Sequence, residues 1–158
     1  MIARIPLAKG AYAQQPSRIV VHAMAEFITD RGREWHAPEF LKNIGLSAHS
    51  LITPSGVRIR CRRETQGAYH ARGFNRDSLG IEVLVPGVHD YDSFIEAIKT
   101  PYMTKTQYHA TVDQCREWLD EFHILSIDRH SDVDPERKHD PGDGFPWTDL
   151  LSDIGWQP

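Results

Sequence analysis

The chain has 158 residues, with 18 Lys and Arg against 22 Asp and Glu, giving a formal net charge of −4. This length suits one domain over 1–158, and 40% hydrophobic with 25% charged residues exclude a disordered or fibrous chain. The acidic balance lacks the surplus of Lys and Arg that phosphate binding requires, so no nucleic-acid partner is expected, and no run is long enough to cross a membrane. At the start, Arg4 and Lys9 interrupt the apolar stretch before it reaches signal-peptide length, which predicts synthesis in the cytoplasm. Residues 18–22, RIVVH, form a β-branched run after Pro16 and read as a buried first strand that ends on His22. Over 34–43, Trp35, Phe40 and Leu41 stand among polar residues and suggest a short helix, with Gly45 as its stop. Residues 47–52 and 57–61 flank Thr53-Pro54-Ser55-Gly56, a turn sequence that predicts a hairpin. Residues 66–77 read as an exposed loop.

Residues 78–85, SLGIEVLV, are apolar almost throughout, as in a central strand, except for Glu82. A helix is predicted from about 106 to 122, because Tyr108, Val112, Cys115, Trp118, Leu119 and Phe122 recur at helical spacing and Thr104 with Gln107 fits a capping box. A strand over 124–127 leads to His130, a loop rich in Pro, Gly and Asp follows, and a last helix spans 147–154. Strands interleaved with helices imply an α/β fold with a central mixed sheet flanked by helices. Ligands in such sheets gather at the carboxyl ends of strands, where His22 and His130 are expected.

Nine histidines beside many carboxylates point towards a metal site, since imidazole and carboxylate are the common non-thiolate ligands of zinc. In DRHSDVDPERKHDPGDGFPW the loop either brings His130 and Asp140 to one metal, with Lys138 nearby, or is a solvated turn. A calcium loop through Asp132, Asp134, Glu136, Asp140 and Asp143 fails, because Arg137 stands where the sharp turn needs glycine. Glu82 is either a general base or a residue at a sheet edge facing water. His36, His49, His70 and Tyr69 are further candidates, whereas His89, His109 and His123 read as surface or helix-packing residues. Cys61 and Cys115 give no disulfide framework. The Arg58, Arg60, Arg62, Arg63 cluster is either a contact patch or a solvated strand edge. Neither a glycine-rich phosphate loop nor a GxSxG elbow is present.

Several ordered segments together carry a resemblance over roughly residues 18–147: IVVHAMA, Trp35-His36, SAHSLITPSGVRIR, YHARGFNRDSLGIEV and HSDVDPERKHDPGDGFPW. They resemble the zinc-dependent N-acetylmuramoyl-L-alanine amidases, a family that takes in phage lysozyme-type amidases, bacterial anhydro-muropeptide amidases and peptidoglycan recognition proteins. The resemblance implies a zinc ion on His22, His130 and Asp140, catalytic roles for Glu82 and Lys138, and substrate-facing positions for His70, Asn75 and His49. Ala48 stands where some relatives carry a tyrosine, which shifts the expected base to Glu82. Asp140 is similar to the recycling-type enzymes, while HARGFN is closer to the phage type. The implied reaction cuts the amide between the lactyl group of N-acetylmuramic acid and L-Ala. It implies peptidoglycan or a muropeptide as partner, no membrane insertion, a monomer, and a role either as an endolysin released to the cell wall or as a cytoplasmic recycling enzyme. A peptidoglycan-binding module without activity is the remaining alternative.

Overall fold

The computed structural model describes residues 2–5 and 12–158; Lys9, one of the two charges that break the N-terminal apolar run, lies outside them. In chain order the elements are β1 (Ile2–Arg4), β2 (Arg18–Asp30), β3 (Arg33–His36), α1 (Ala37–Asn43), β4 (Ser50–Ile52), β5 (Arg58–Arg60), β6 (Ser78–His89), α2 (Tyr91–Ala97), α3 (Lys105–Glu121), β7 (Ser126–Arg129), α4 (His130–Val133) and α5 (Trp147–Asp153). The strands form one mixed sheet in the order β1-β5-β4-β6-β2-β3, and β7 also pairs with β2. Its spine is the parallel β2–β6 ladder, which runs from Arg18 opposite Ser78 to Ile28 opposite His89. The far edge of β2 is shared: β7 pairs with Arg18 to Val21 and β3 with Phe27 to Asp30. Among the described residues, 22–26 between them have no strand partner on that side.

The pleat of β2 and β6 divides their side chains. Ile19, Val21, Leu79, Ile81 and Val83 enter a core with Val112, Cys115 and Trp118 of α3 and Leu150 of α5. On the opposite face Leu84 joins Leu41 of α1, Leu51 and Ile59, and His22, Gly80 and Glu82 share that second face by parity. Helix α3 begins as its sequence predicts, with the Thr104 hydroxyl accepting from the Gln107 N–H. The reciprocal half of the capping box is missing. The Gln107 side chain donates instead to the carbonyls of Ile52 and Leu84, tying α3 to the sheet.

Several expectations need correction. His22 does not end its strand: β2 continues eight residues further, to Asp30, because β6 also extends to His89 and supplies a partner. The helix expected over 34–43 is a strand followed by a helix. Arg31 and Gly32 both take positive φ, +49° and +76°, and turn the chain back against β2, so Arg33 to His36 pair with it and Pro38 then opens α1. Gly45 does stop α1: its N–H donates to the Lys42 carbonyl and that of Leu46 to the Leu41 carbonyl, the Schellman arrangement. The strand expected over 124–127 lies two residues later. Residues 66–77 are not an exposed loop, since Ala68, His70 and Ala71 are buried. The Asn75 side-chain oxygen accepts from the N–H groups of both His70 and Ala71 and folds the loop inward. Cys61 and Cys115 are free thiols, both buried. Among the described residues no helix is long and apolar enough to cross a membrane.

Candidate metal centre and active site

Register alone sets the row of reactive side chains. His22 lies directly opposite Glu82 in the parallel β2–β6 ladder, and opposite residues of a parallel pair project to the same face. On the other edge Val21 pairs with Arg129, the last residue of β7, so the next residue, His130, emerges level with His22. The centre therefore forms at the carboxyl end of β7 and at the fifth residue of both β2 and β6. Residues 131–139 then loop out and return at Asp140, whose Oδ2 accepts from the Ala23 N–H at 3.3 Å, in the stretch of β2 edge that neither β7 nor β3 covers.

Three buried side chains converge here. His22 Nδ1 is 2.9 Å from His130 Nδ1 and 3.5 Å from Asp140 Oδ2, and His130 Nδ1 is 3.0 Å from Asp140 Oδ2. They are a set that can hold a metal ion, each offering one ligand atom. Glu82 Oε1 stands 4.0 Å from His22 Nδ1, while Glu82 Oε2 is buried and makes no hydrogen bond to the described residues. Burial pushes the Glu82 carboxyl well above its usual range, and the Asp140 charge adds to this while Lys138 opposes it. Burial pushes His22 down to about 4, against the hydrogen bond of Asp140. Asp140 is also subject to burial, which would raise it, but its contacts with His130 and His22 hold it below the ordinary carboxylate range. The result is one carboxylate held ionised between two imidazoles, with a second beside them whose burial favours its protonated form.

These residues floor a cleft of about 830 Å³. Lys138 and Asn75 line it, with Arg72 and Arg137 adding charge. Ile44 and Leu46, between α1 and β4, and Tyr91 and Phe94 of α2 give it apolar sides. The described chain matches the model of the N-acetylmuramoyl-L-alanine amidase family over residues 12–143. The chain belongs to that family. No curated protein gives a significant match. Among solved structures, the amidase is similar to the N-acetylmuramoyl-L-alanine amidase LysC from Clostridium intestinale URNW, with 21% identity, a TM-score of 0.76 and 99% of each chain covered. It is also similar to AmpDH3 from Pseudomonas aeruginosa, solved in complex with anhydromuramic pentapeptide, with 25% identity, a TM-score of 0.66, and 90% of this chain and 61% of that chain covered. The Ph2119 endolysin from the Thermus scotoductus MAT2119 bacteriophage Ph2119 covers 99% of this chain and 100% of its own at 19% identity and a TM-score of 0.67.

The two histidines of the amidase expected to face substrate, His49 and His70, are placed differently from one another. His49 is fully buried and does not line the cleft; its Nδ1 accepts from the Gly80 N–H and its Nε2 lies 2.8 Å from the Gln66 carbonyl. Both ring nitrogens are thus taken up by the main chain, and the ring joins β6 to the 66–77 loop. Burial lowers it to about 4, which keeps it neutral. His70 does border the cleft, but its ring is turned inward: Nδ1 lies 2.8 Å from His22 Nε2 and Nε2 lies 3.0 Å from the Ser78 hydroxyl. Burial, and the neighbouring His22 and His49, hold it well below the usual histidine range.

His109 and His123 are exposed, as expected, whereas His89 borders the outer cleft. Tyr69 also borders it, and His36 packs against Phe27. The acidic residues of the rejected calcium loop do not converge: Asp132 binds Arg129 and Asp134 binds Arg137. In the basic cluster Arg58 is paired with Glu117 at 2.7 Å, Arg60 with Glu64, and Arg62 is buried and donates to the Gly67 carbonyl. The sequence reading did not single out Ser78 or Tyr102. The Tyr102 hydroxyl donates to the Pro141 carbonyl at 2.9 Å and fastens the segment that carries Asp140. No local signal marks either residue, since each acts through a partner distant in sequence.

Proposed function

We propose that this amidase is a zinc-dependent hydrolase that cuts the bond between the lactyl group of N-acetylmuramic acid and L-Ala, acting as a phage-type endolysin on peptidoglycan. The observation that carries the reading is the buried triangle of His22, His130 and Asp140 with Glu82 beside it, at the floor of an open cleft. Two imidazoles and one carboxylate form a hydrolytic zinc set that keeps a fourth position open. Around a tetrahedral ion with bonds of about 2.0–2.1 Å, ligand atoms stand about 3.3 Å apart, and the spacings of 2.9, 3.0 and 3.5 Å fit that geometry. When bound, zinc supplies Lewis acidity that brings the pKa of water towards neutrality.

The protein's own groups do the rest. Glu82, its basicity raised by burial, takes the proton of the attacking water and returns it to the departing amine of L-Ala. Lys138, whose charge already acts on both Glu82 and His22, offsets the negative charge that develops on the carbonyl oxygen. The apolar cleft sides and the charges of Arg72 and Arg137 suit a glycan with an attached peptide.

Mass spectrometry of whole sacculi and soluble muropeptides after digestion tests this, with the zinc-loaded protein, a chelated sample and His130→Ala compared. Release of stem peptides with a free L-Ala amino terminus from sacculi is expected, abolished by chelation and by His130→Ala. Cleavage confined to soluble anhydro-muropeptides would assign a recycling role instead, and zinc binding with no cleavage a recognition module.

A further inference from the structure

The inward-turned ring of His70 has a use that neither substrate contact nor packing accounts for. The chain of contacts begins at the Phe74 carbonyl, to which the Ser78 hydroxyl is hydrogen-bonded. A carbonyl only accepts, so the serine hydrogen is committed there and its lone pairs face His70. His70 Nε2, 3.0 Å from that hydroxyl, must then carry a hydrogen and donate it. In a neutral imidazole this leaves His70 Nδ1 bare, an acceptor 2.8 Å from His22 Nε2. His22 Nε2 must in turn carry its hydrogen, and His22 Nδ1 is left as a lone pair. That atom is the one that faces His130 and Asp140.

We infer that His70 is a positioning residue for the metal centre: with Ser78 and the Phe74 carbonyl it forms a relay that fixes His22 in the tautomer whose Nδ1 can ligate. The inference rests on the zinc reading of His22, His130 and Asp140. Every link of the relay is buried or part-buried, which shields it from exchange with water. His70 and Ser78 are 9% and 0% exposed. The Asn75 oxygen, which accepts from the His70 and Ala71 N–H groups, sets the backbone from which the ring descends. Gly80 opens the space it occupies: a Cβ there would lie 2.5 Å from His70 Nδ1 and 2.6 Å from Cγ. A strand in which every neighbour from Ser78 to Val85 carries a buried side chain thus leaves one position bare where the imidazole nests. Ligating histidines generally donate their second nitrogen to a fixed acceptor, and losing that acceptor lowers metal affinity about 10- to 100-fold. Here the acceptor is a second histidine, whose own tautomer is set one step further back.

Zinc affinity, measured by competition with a chromophoric chelator, and the tautomer of His22, read from long-range ¹H–¹⁵N correlations of the metal-free protein, test the relay. In the wild type the His22 proton is expected on Nε2. His70→Phe, which removes the acceptor but keeps a ring, is expected to bind zinc about 10- to 100-fold more weakly and to release the His22 proton to both nitrogens. Circular dichroism checks that its fold is kept. Ser78→Ala deletes one hydroxyl, frees the His70 tautomer, and is expected to lower affinity by a smaller factor; if His70→Phe does not fold, this variant decides. Affinity within twofold of the wild type in a folded variant, or a wild-type His22 proton on Nδ1, overturns the inference. A wild type that binds no zinc at all overturns the zinc reading on which it rests, an outcome the competition assay separates from an unaffected variant.

Discussion

The two faces of the β2–β6 ladder are built from alternate residues of the same strands and do different work. On the α3 side Ile19, Val21, Leu79, Ile81 and Val83 are fully buried hydrocarbon; one residue along, on the cleft side, stand His22, Gly80 and Glu82. A period of two lets a strand be anchored by one set of side chains and equipped with the other. Costly polar burial on the second face is supported by a face that contains only apolar side chains. The difference teaches that the reactive row can be altered without touching the α3-side core, although its own face also carries the Leu84, Leu41, Leu51 and Ile59 cluster.

Breaking the cleft face should register in turnover and not in folding. Glu82→Gln keeps the shape and removes the base, so the rate is expected to fall about 10²- to 10⁴-fold with zinc content unchanged by metal analysis; a variant as active as the wild type would remove Glu82 from the mechanism. Breaking the other face should do the reverse. Ile81→Ala, next to Glu82 in sequence, is expected to cost about 2–5 kcal/mol in urea unfolding, with activity per folded molecule retained, and a loss of zinc in the folded variant would mean that the faces are coupled.

His49 sharpens the contrast, because it is a histidine with a structural use. Its folded pKa of about 4 lies below the unfolded value of about 6.5, so the unfolded chain binds the proton more readily. Its contribution is full above pH 6.5 and is lost as pH falls towards 4, on the order of 3 kcal/mol in total. Urea midpoints of the metal-free protein between these limits are expected to fall more steeply for the wild type than for His49→Gln.

Where a residue's role depends on its own neighbourhood in the chain, the sequence is readable. The apolar run 78–85 with its one carboxylate, the Thr-Pro-Ser-Gly hairpin, the α3 periodicity and the Gly45 stop all appear where local chemistry puts them. His22, His130 and Asp140 were legible as a set from the order of motifs, and the structure brings them within reach of one another. What local reading missed depends on distant partners. Trp35 and Phe40 fit helical spacing, but the Arg31–Gly32 turn offers the chain the edge of β2 and pairing wins. Helix α2 is the exception, since Asp90 caps it and Tyr91, Phe94, Ile95 and Ile98 recur at helical spacing, a local signal left unread. His49 and His70 look alike in sequence as isolated histidines. Only the approach of Gly80, 31 residues from the first, and of His22, 48 from the second, tells a structural ring from one turned to the proposed ligand set.

Finally, the stretch of β2 between β7 and β3 is a sheet edge without a strand partner among the described residues, and its main-chain groups must be satisfied by other means. Asp140 stands over it, taking the Ala23 N–H, with the 131–139 loop brought in front. The carboxylate that completes the proposed ligand triangle therefore also closes that edge. A chain that exchanged Asp140 for a small apolar residue would leave the Ala23 N–H without this partner and take the carboxylate from the triangle at once, so backbone satisfaction and the proposed metal binding bear on the same side chain.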